Sequence, residues 1–303
     1  MILSIVRNWC DAEVEHKLYL SNILEKYFQC TLEFIGPQSV EKLAAYCFIK
    51  QVRGLVLSHD RQDFLSSIEI YKEKKSALGA NCVKFVEVVE EVFNYNRFIA
   101  KGKGWNAYAL CRKSKTRICP YCNHAYAFTV QSENGDFRPT LDHFYYKDEY
   151  PHLALSLYNL VPSCSSCNSS LKGKADFFSS LHLNPLFDFE NIQFYLTASG
   201  DPADLVEAIE ARRDDVLVKA KAVSLCPMSE RSLATFIINE RYEMLSVEAV
   251  DFYLAKKNYD EAILNIQFDF SFDESTCLRF SREKYSDYIL GKMFADIYDS
   301  LSH

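Results

Sequence analysis

The sequence predicts an α+β fold, and three observations carry that expectation. Through about residue 110, apolar residues recur at helical spacing. Between about 125 and 145 the pattern changes to strand-like alternation around a turn dipeptide. Two Cys-x-x-Cys pairs, Cys119/Cys122 and Cys164/Cys167, bracket that change.

In the first stretch, Val14, Leu18, Ile23, Leu24 and Phe28 fall roughly at helical spacing. Phe85, Val86, Val89, Val92 and Phe93 do so clearly, with charged residues between them marking a wet face. AYAFTV (125–130) alternates, Asn134-Gly135 is a strong hairpin turn, and FRPTLDHF follows. This predicts a β-hairpin whose second strand carries Asp142 and His143. Residues 168–174 start a short helix. NIQFYLT (191–197) alternates as a strand, 233–257 reads as one long helix, and LNIQFDFSF (264–272) reads as a half-buried strand. YILGKMFADIYDSL near the end is amphipathic and is expected to face the core. Three regions are expected: 1–110 mainly helical, 111–181 holding the thiols and hairpin, and 182–303 mixed but mostly helical.

With 303 residues the chain can bury a sizeable core and hold two or three sub-domains. Its 49% hydrophobic and 25% charged content fits an ordinary soluble globular protein. No apolar run approaches the roughly 20 residues that span a bilayer, so no membrane partner is expected. The N-terminus meets Arg7 too early for a secretory apolar segment, which predicts a cytoplasmic location. In that reducing compartment the 11 cysteines are thiols or metal ligands, not disulfides. Seven are scattered singly (Cys10, Cys30, Cys47, Cys82, Cys111, Cys226 and Cys277) and are expected to be small core residues. Charge is uneven. Residues 101–175 carry ten Lys or Arg against five Asp or Glu, a +5 island that leaves −12 on the rest of a chain whose net charge is −7.

The two thiol pairs are separated by 41 residues. Four thiolates in two knuckles suit a tetrahedral Zn²⁺, and each two-residue spacer lets one turn present both sulfurs. Such a zinc is structural, because four thiolates close the coordination sphere and leave no place for water. Chemistry must then come from the residues between the knuckles. Asp142 and His143 are neighbours on a strand end, so their side chains diverge. The carboxylate can take a hard cation while the imidazole faces a water. With Asn159 and Asn168 they supply an acid, an imidazole and two carboxamides, a set suited to metal-assisted phosphodiester hydrolysis.

CPYC, LDHF and YNLVPSCSSCN, in that order, resemble the HNH endonucleases, whose core is a ββα-metal hairpin and helix braced by a zinc knuckle. The resemblance covers about residues 119–174, making 111–181 the expected nuclease core. It implies an H-N-N variant, with Asp142-His143, Asn159 and Asn168 at the three signature positions. His143 would be the general base. Asp142 and Asn168 would hold Mg²⁺ or Mn²⁺. Asn159 would fix the loop that orients His143, and Lys172 and Lys174 would face the phosphate backbone. The wider wording, from LDHF through PSCSSCN to the following Lys-Gly, is similar to the nuclease subunit of Septu-type anti-phage systems, including those attached to retrons. That implies an ABC/SMC-type ATPase partner and, in retron settings, a reverse transcriptase with its RNA–DNA product. The chain has no G-x-x-x-x-G-K-[ST] and so brings no nucleotide site of that kind itself.

Other side chains carry weaker expectations. His124 follows the first knuckle as a loop histidine within reach of a phosphate. His152, Tyr145, Tyr146 and Tyr150 would either stack on bases or pack against the knuckle. His182 is a candidate extension of the metal site, and Trp105 and Tyr108 are expected in the core. Two functional classes stand: a metal-dependent endonuclease, with DNA the favoured substrate and a structured RNA such as tRNA the alternative, and a non-catalytic zinc-stabilised module that binds nucleic acid or protein. The Asp-His pair separates them, since a zinc scaffold alone has no use for it.

Overall fold

A computed structural model describes residues 2–33, 40–198, 205–265 and 273–301. The N-terminal region is helical: α1 (Glu13–Glu33), α2 (Val40–Val56), α3 (Arg61–Leu78), α4 (Cys82–Val92), α5 (Tyr95–Ile99) and α6 (Ala107–Arg112). Local capping sets several boundaries. Asp60 accepts from the Gln62 amide at the start of α3, and Gly79, at φ 52°, ends it. Asn94 and Asn106 cap α5 and α6 in the same way. In the helix layer Phe48 of α2, Tyr71 of α3 and Phe85 of α4 meet as fully buried rings.

The buried stripe of α1 follows its periodicity only in part: Leu24 is buried and Ile23 and Phe28 pack against the core. Val14 and Leu18 face solvent, and the core face is His16, Leu20 and Leu24, one helical turn apart. A polar residue hides this stripe in the sequence. His16 is tolerated in the core because both ring nitrogens have partners.

Among the described residues, strands occur in three antiparallel pairs. β1 (Val130–Ser132) and β2 (Gly135–Phe137) form a tight hairpin, with Ser132 opposite Gly135 across Glu133-Asn134. The Asp-His pair does not lie on this hairpin. It sits on a separate strand, β3 (Thr140–His143), which pairs with β4 (Leu160–Ser163) so that Asp142 faces Val161 and His143 faces Leu160. Pro139 lies between β2 and β3, so the chain cannot run on as one ladder. Burial then favours β4: β1 is exposed throughout, whereas every residue of β4 is buried. A π-helical turn, Ser166–Lys172, follows β4.

β5 (Ile192–Ala198) pairs with β6 (Val216–Ala222) along seven residues. Helices α7 (Leu205–Glu210), α8 (Pro227–Thr235), α9 (Ile238–Glu243), α10 (Ser246–Asn265), α11 (Glu274–Leu278) and α12 (Gly291–Leu301) complete the C-terminal region. The single helix expected over 233–257 is three helices. Ile237 is left-handed at φ 43°, a strained position for a β-branched residue, and it turns α9 away from α8. Residues 266–272 of the expected strand lie outside the described residues. The C-terminal α12 buries Met293, Ala295 and Ile297, the core-facing helix the sequence suggested.

Buried residues of all three regions, from Ile2 to Ile297, join one hydrophobic cluster. The single cysteines depart from expectation. Cys111 alone is buried; Cys82 and Cys226 are half-buried, and Cys10, Cys30, Cys47 and Cys277 are exposed. Cys30, Cys47 and Cys277 lie on the wet faces of α1, α2 and α11, where a small thiol costs little. No described helix is long and apolar enough to cross a membrane.

Candidate functional site

The two knuckles meet. The sulfurs of Cys119, Cys122, Cys164 and Cys167 lie within 4.8 Å of one another, and those of Cys122 and Cys164 are 4.0 Å apart. Zinc–sulfur bonds of about 2.3 Å place tetrahedral sulfurs just under 4 Å apart, so the four can hold a structural Zn²⁺. Asn123 ends the first knuckle in a left-handed conformation, its amide donating to the Cys119 carbonyl at 2.8 Å. Hydrogen bonds from Cys119, Cys164 and Cys167 hold the Cys122 thiol well below its ordinary range, while burial pushes the Cys119 thiol well above it, so the charge of the cluster sits on part of its sulfurs. Arg241 of α9 answers that charge. Its Nη1 donates to Cys167 Sγ at 3.4 Å and its Nη2 to His124 Nδ1 at 3.1 Å. His124 thus supports this guanidinium.

Tyr121, between the first two cysteines, joins the cluster to the chemistry. Its ring stacks on Phe236 at 4.5 Å, and its hydroxyl donates to Asp142 Oδ2 at 2.6 Å. The other carboxylate oxygen accepts from Lys172 Nζ at 3.0 Å, and the same ammonium donates to the His143 carbonyl at 2.7 Å. Lys172 is therefore a buried counter-ion and does not face outward toward a phosphate backbone. Its position follows from the π-helical turn, which ends at left-handed Gly173 and points this last side chain inward under Phe177. Lys174 is exposed.

His143 is buried, edge-on to the Tyr95 ring at 4.4 Å. Its Nε2 lies 3.0 Å from the Ala154 carbonyl. A carbonyl only accepts, so Nε2 carries the proton and Nδ1 is the bare, basic nitrogen. Burial pushes the imidazole down to about 4, which keeps it neutral near pH 7.

The loop supplying that carbonyl is held at three consecutive peptides. Asn159 Nδ2 donates to Leu153 O at 3.1 Å, His143 to Ala154 O, and His16 Nε2 to Leu155 O at 2.7 Å. Trp105 Nε1 donates to His16 Nδ1 at 3.1 Å and so fixes the tautomer that lets His16 donate. Asn159 also clamps both backbone groups of Tyr145.

Asp142, His143, Asn168 and Lys172 line one cavity of about 270 Å³ together with Arg138 and Tyr146. Asn159 lies behind it and acts through the loop. Tyr145 and Tyr150 are core residues, and His152 is buried against Ser67 and Tyr71. His182 stacks on Phe177 and bonds Thr235 and the Ser180 carbonyl, so its ring is committed away from Asp142. Trp105 and Tyr108 are half-buried. Sequence reasoning missed the site roles of Tyr121, His16, Trp105 and Arg241. Tyr121 had a signal, its place inside a knuckle; the others reach the site from distant segments and leave no local trace.

Comparison with family models, with curated proteins and with solved structures finds no match to the chain. Among the described residues, the four thiols are the one group of three or more His, Cys, Asp or Glu placed to hold a metal. Asp142 and Asn168 offer hard oxygens in one cavity, and Mg²⁺ often takes only one or two protein carboxylates. The donors fit such an ion in kind, with Lys172 as the competitor at Asp142.

That competition is testable. Lys172→Gln leaves a buried carboxylate without its cation, so in metal-depleted buffer it should lose about 3–5 kcal/mol. Added Mn²⁺ should raise its Tm more than that of the parent protein. No Mn²⁺-dependent gain would remove Asp142 as a cation ligand. Thermal melts should also show acid sensitivity. His16 and His143 are held down to about 4 and His152 to about 3, each chiefly by burial. Unfolded imidazoles bind protons near 6.5 and the folded ones do not, so stability falls as pH drops from about 6.5 to 4, by about 3 kcal/mol for each ring. A flat Tm over that interval would contradict the buried, neutral assignment. For the cluster, Cys119→Ser should reduce zinc, measured by elemental analysis, and lower the melting temperature. Parent protein purified without zinc would contradict the Zn²⁺ assignment.

Proposed function

We propose that the chain is a metal-dependent endonuclease of the HNH type that hydrolyses phosphodiester bonds in nucleic acid, with DNA favoured. The observation that carries this is a neutral His143, its Nε2–H committed to Ala154 and its Nδ1 bare, in one cavity with Asp142 and Asn168. The order β3, loop, β4, helical turn, next to a four-thiol cluster, supports the same reading. In this mechanism His143 Nδ1 takes a proton from a water as its oxygen bonds to phosphorus. The phosphorus–oxygen bond to the leaving sugar then breaks, its electron pair leaving on the sugar oxygen, which takes a proton from solvent water, giving a phosphate monoester and an alcohol. Asp142 and Asn168 would hold the divalent ion, which when bound stabilises charge on the phosphate and the leaving oxygen. Asn159 and His16 keep the loop carbonyls in place, and Tyr121 orients Asp142.

The resemblance to Septu-type nuclease subunits extends the proposal to an effector of anti-phage defence working with an ABC/SMC-type ATPase and, in a retron setting, with a reverse transcriptase and its RNA–DNA product. A second reading rests on a specific observation. Tyr121 and Lys172 already satisfy both oxygens of Asp142, an arrangement also suited to a zinc-stabilised binding module that does not cut.

His143→Ala decides between them. With Mg²⁺ and labelled DNA or tRNA, alone and with the ATPase, the parent protein should cut and the variant should lose about 10²–10⁴-fold, with fold and zinc unchanged. The parent rate should hold well below pH 6.5, because the base is protonated only near about 4. Equal cutting by a folded His143→Ala protein would take His143 out of the mechanism.

A further inference from the structure

The cavity of His143 adjoins two others of opposite electrostatic character. It shares Tyr95 and Lys147 with a cavity of about 400 Å³ whose wall carries Glu87, Glu90, Glu91 and Asp148. Through Arg138 it leads the other way. The Arg138 guanidinium lines the His143 cavity and lies 5.3 Å from the Tyr108 ring centre. Tyr108 in turn lines a third cavity, of about 290 Å³, with Lys101 and Arg112. Lys101 also lies against Tyr108, at 5.4 Å, so one ring supports two cations. Asp136 is the single acid lining this third cavity, 3.6 Å from Lys101, and Arg112 is bonded to neutral Gln131.

We propose that a nucleic-acid strand reaches His143 along the track Arg112, Lys101, Tyr108 and Arg138, its phosphates on the three cations, and is turned away from the glutamate wall. The proposal rests on the nuclease reading and adds a path for the substrate. Phosphates gain where cations replace condensed counter-ions and lose beside carboxylates. The expected basic residues Lys172 and Lys174 cannot serve as a pair, because Lys172 is buried on Asp142. The track also accounts for the basic island on an otherwise acidic chain: Lys101, Arg112 and Arg138 belong to that island, and Glu87, Glu90 and Glu91 lie outside it.

The test separates binding from cutting. In a His143→Ala background, anisotropy of fluorescein-labelled DNA and RNA oligonucleotides is followed as sodium chloride is raised, with circular dichroism and zinc content as fold controls. The parent should bind, with log affinity falling linearly in log salt. Lys101→Gln/Arg112→Gln and Arg138→Gln should weaken binding, on the order of tenfold for the pair, and flatten the slope by about 0.7–0.9 for each phosphate that is no longer neutralised. Glu90→Gln/Glu91→Gln should bind at least as tightly with the slope kept. Comparing the DNA and RNA arms names the polymer. Unchanged affinity and slope in Lys101→Gln/Arg112→Gln/Arg138→Gln would overturn the track, as would absence of salt-dependent binding by the parent. If the His143 protein binds along the track and cuts neither polymer, the nuclease reading fails and the track stands. If cutting and binding survive the triple replacement, the track fails and the nuclease reading stands.

Discussion

Four sulfurs within 4.8 Å of one another draw together two segments separated by 41 residues, and most of the site depends on that closure. Structural zinc in small peptides binds with about 10–16 kcal/mol of apparent free energy, comparable to the whole stability of a domain. In this chain the closure of the four thiols is shared with neighbours. The Ile2 and Leu3 amides donate to the Pro120 carbonyl, Tyr242 donates to the Cys122 carbonyl, and Leu290 and Lys292 are held by Asn123. Both ends of the chain therefore converge on the first knuckle. Tyr121 carries the constraint inward, since its hydroxyl sets the orientation of Asp142.

A second fixed point complements the first. The carbonyls of Leu153, Ala154 and Leu155 take hydrogen bonds from Asn159, His143 and His16. These donors come from β4's entry, β3 and α1, so the loop is held from the strand side and from the helical layer. Ser67 of α3, bonded to His152, and Trp9, bonded to the Leu160 carbonyl, add to the hold from the N-terminal region. This gives the described part of the N-terminal region a physical role: Trp9, His16 and Ser67 hold the back of the loop that fixes which nitrogen of His143 carries its proton.

Local signals were legible in the sequence and long-range ones were not. The α+β class, the tight hairpin near Asn134, the paired thiols and the C-terminal amphipathic helix all follow from spacing over a few residues. Which strand pairs with β3 does not, because the choice depends on burying β4 across a loop that spans 144–159. The break at Ile237 was hidden because a left-handed isoleucine has no propensity signature. His16 was hidden because a core histidine looks polar until Trp105 and Leu155 are placed beside it. Lys172 was misplaced for a related reason. An exposed lysine and a buried counter-ion are the same letter, and only the inward turn at the end of the π-helical segment distinguishes them.

Under the proposed function, Lys172 would also resolve a conflict that a phosphodiester site with a buried carboxylate carries. A carboxylate meant to hold a cation is, before the cation arrives, a desolvated negative charge facing a negative substrate. Asp142 is nearly inaccessible to solvent, so water cannot dissipate its charge. The ammonium 3.0 Å away neutralises it, and the Tyr121 hydroxyl satisfies its other oxygen. The Asp142 charge in the cavity is then neutralised, and Arg138 and Lys147 remain in its lining as cations for a phosphate. Under that proposal an incoming divalent ion would exchange one cation for another and would not have to fill an unpaired hole. Under the proposed function, the same lysine that keeps the protein stable without metal also sets how strongly metal must compete to enter.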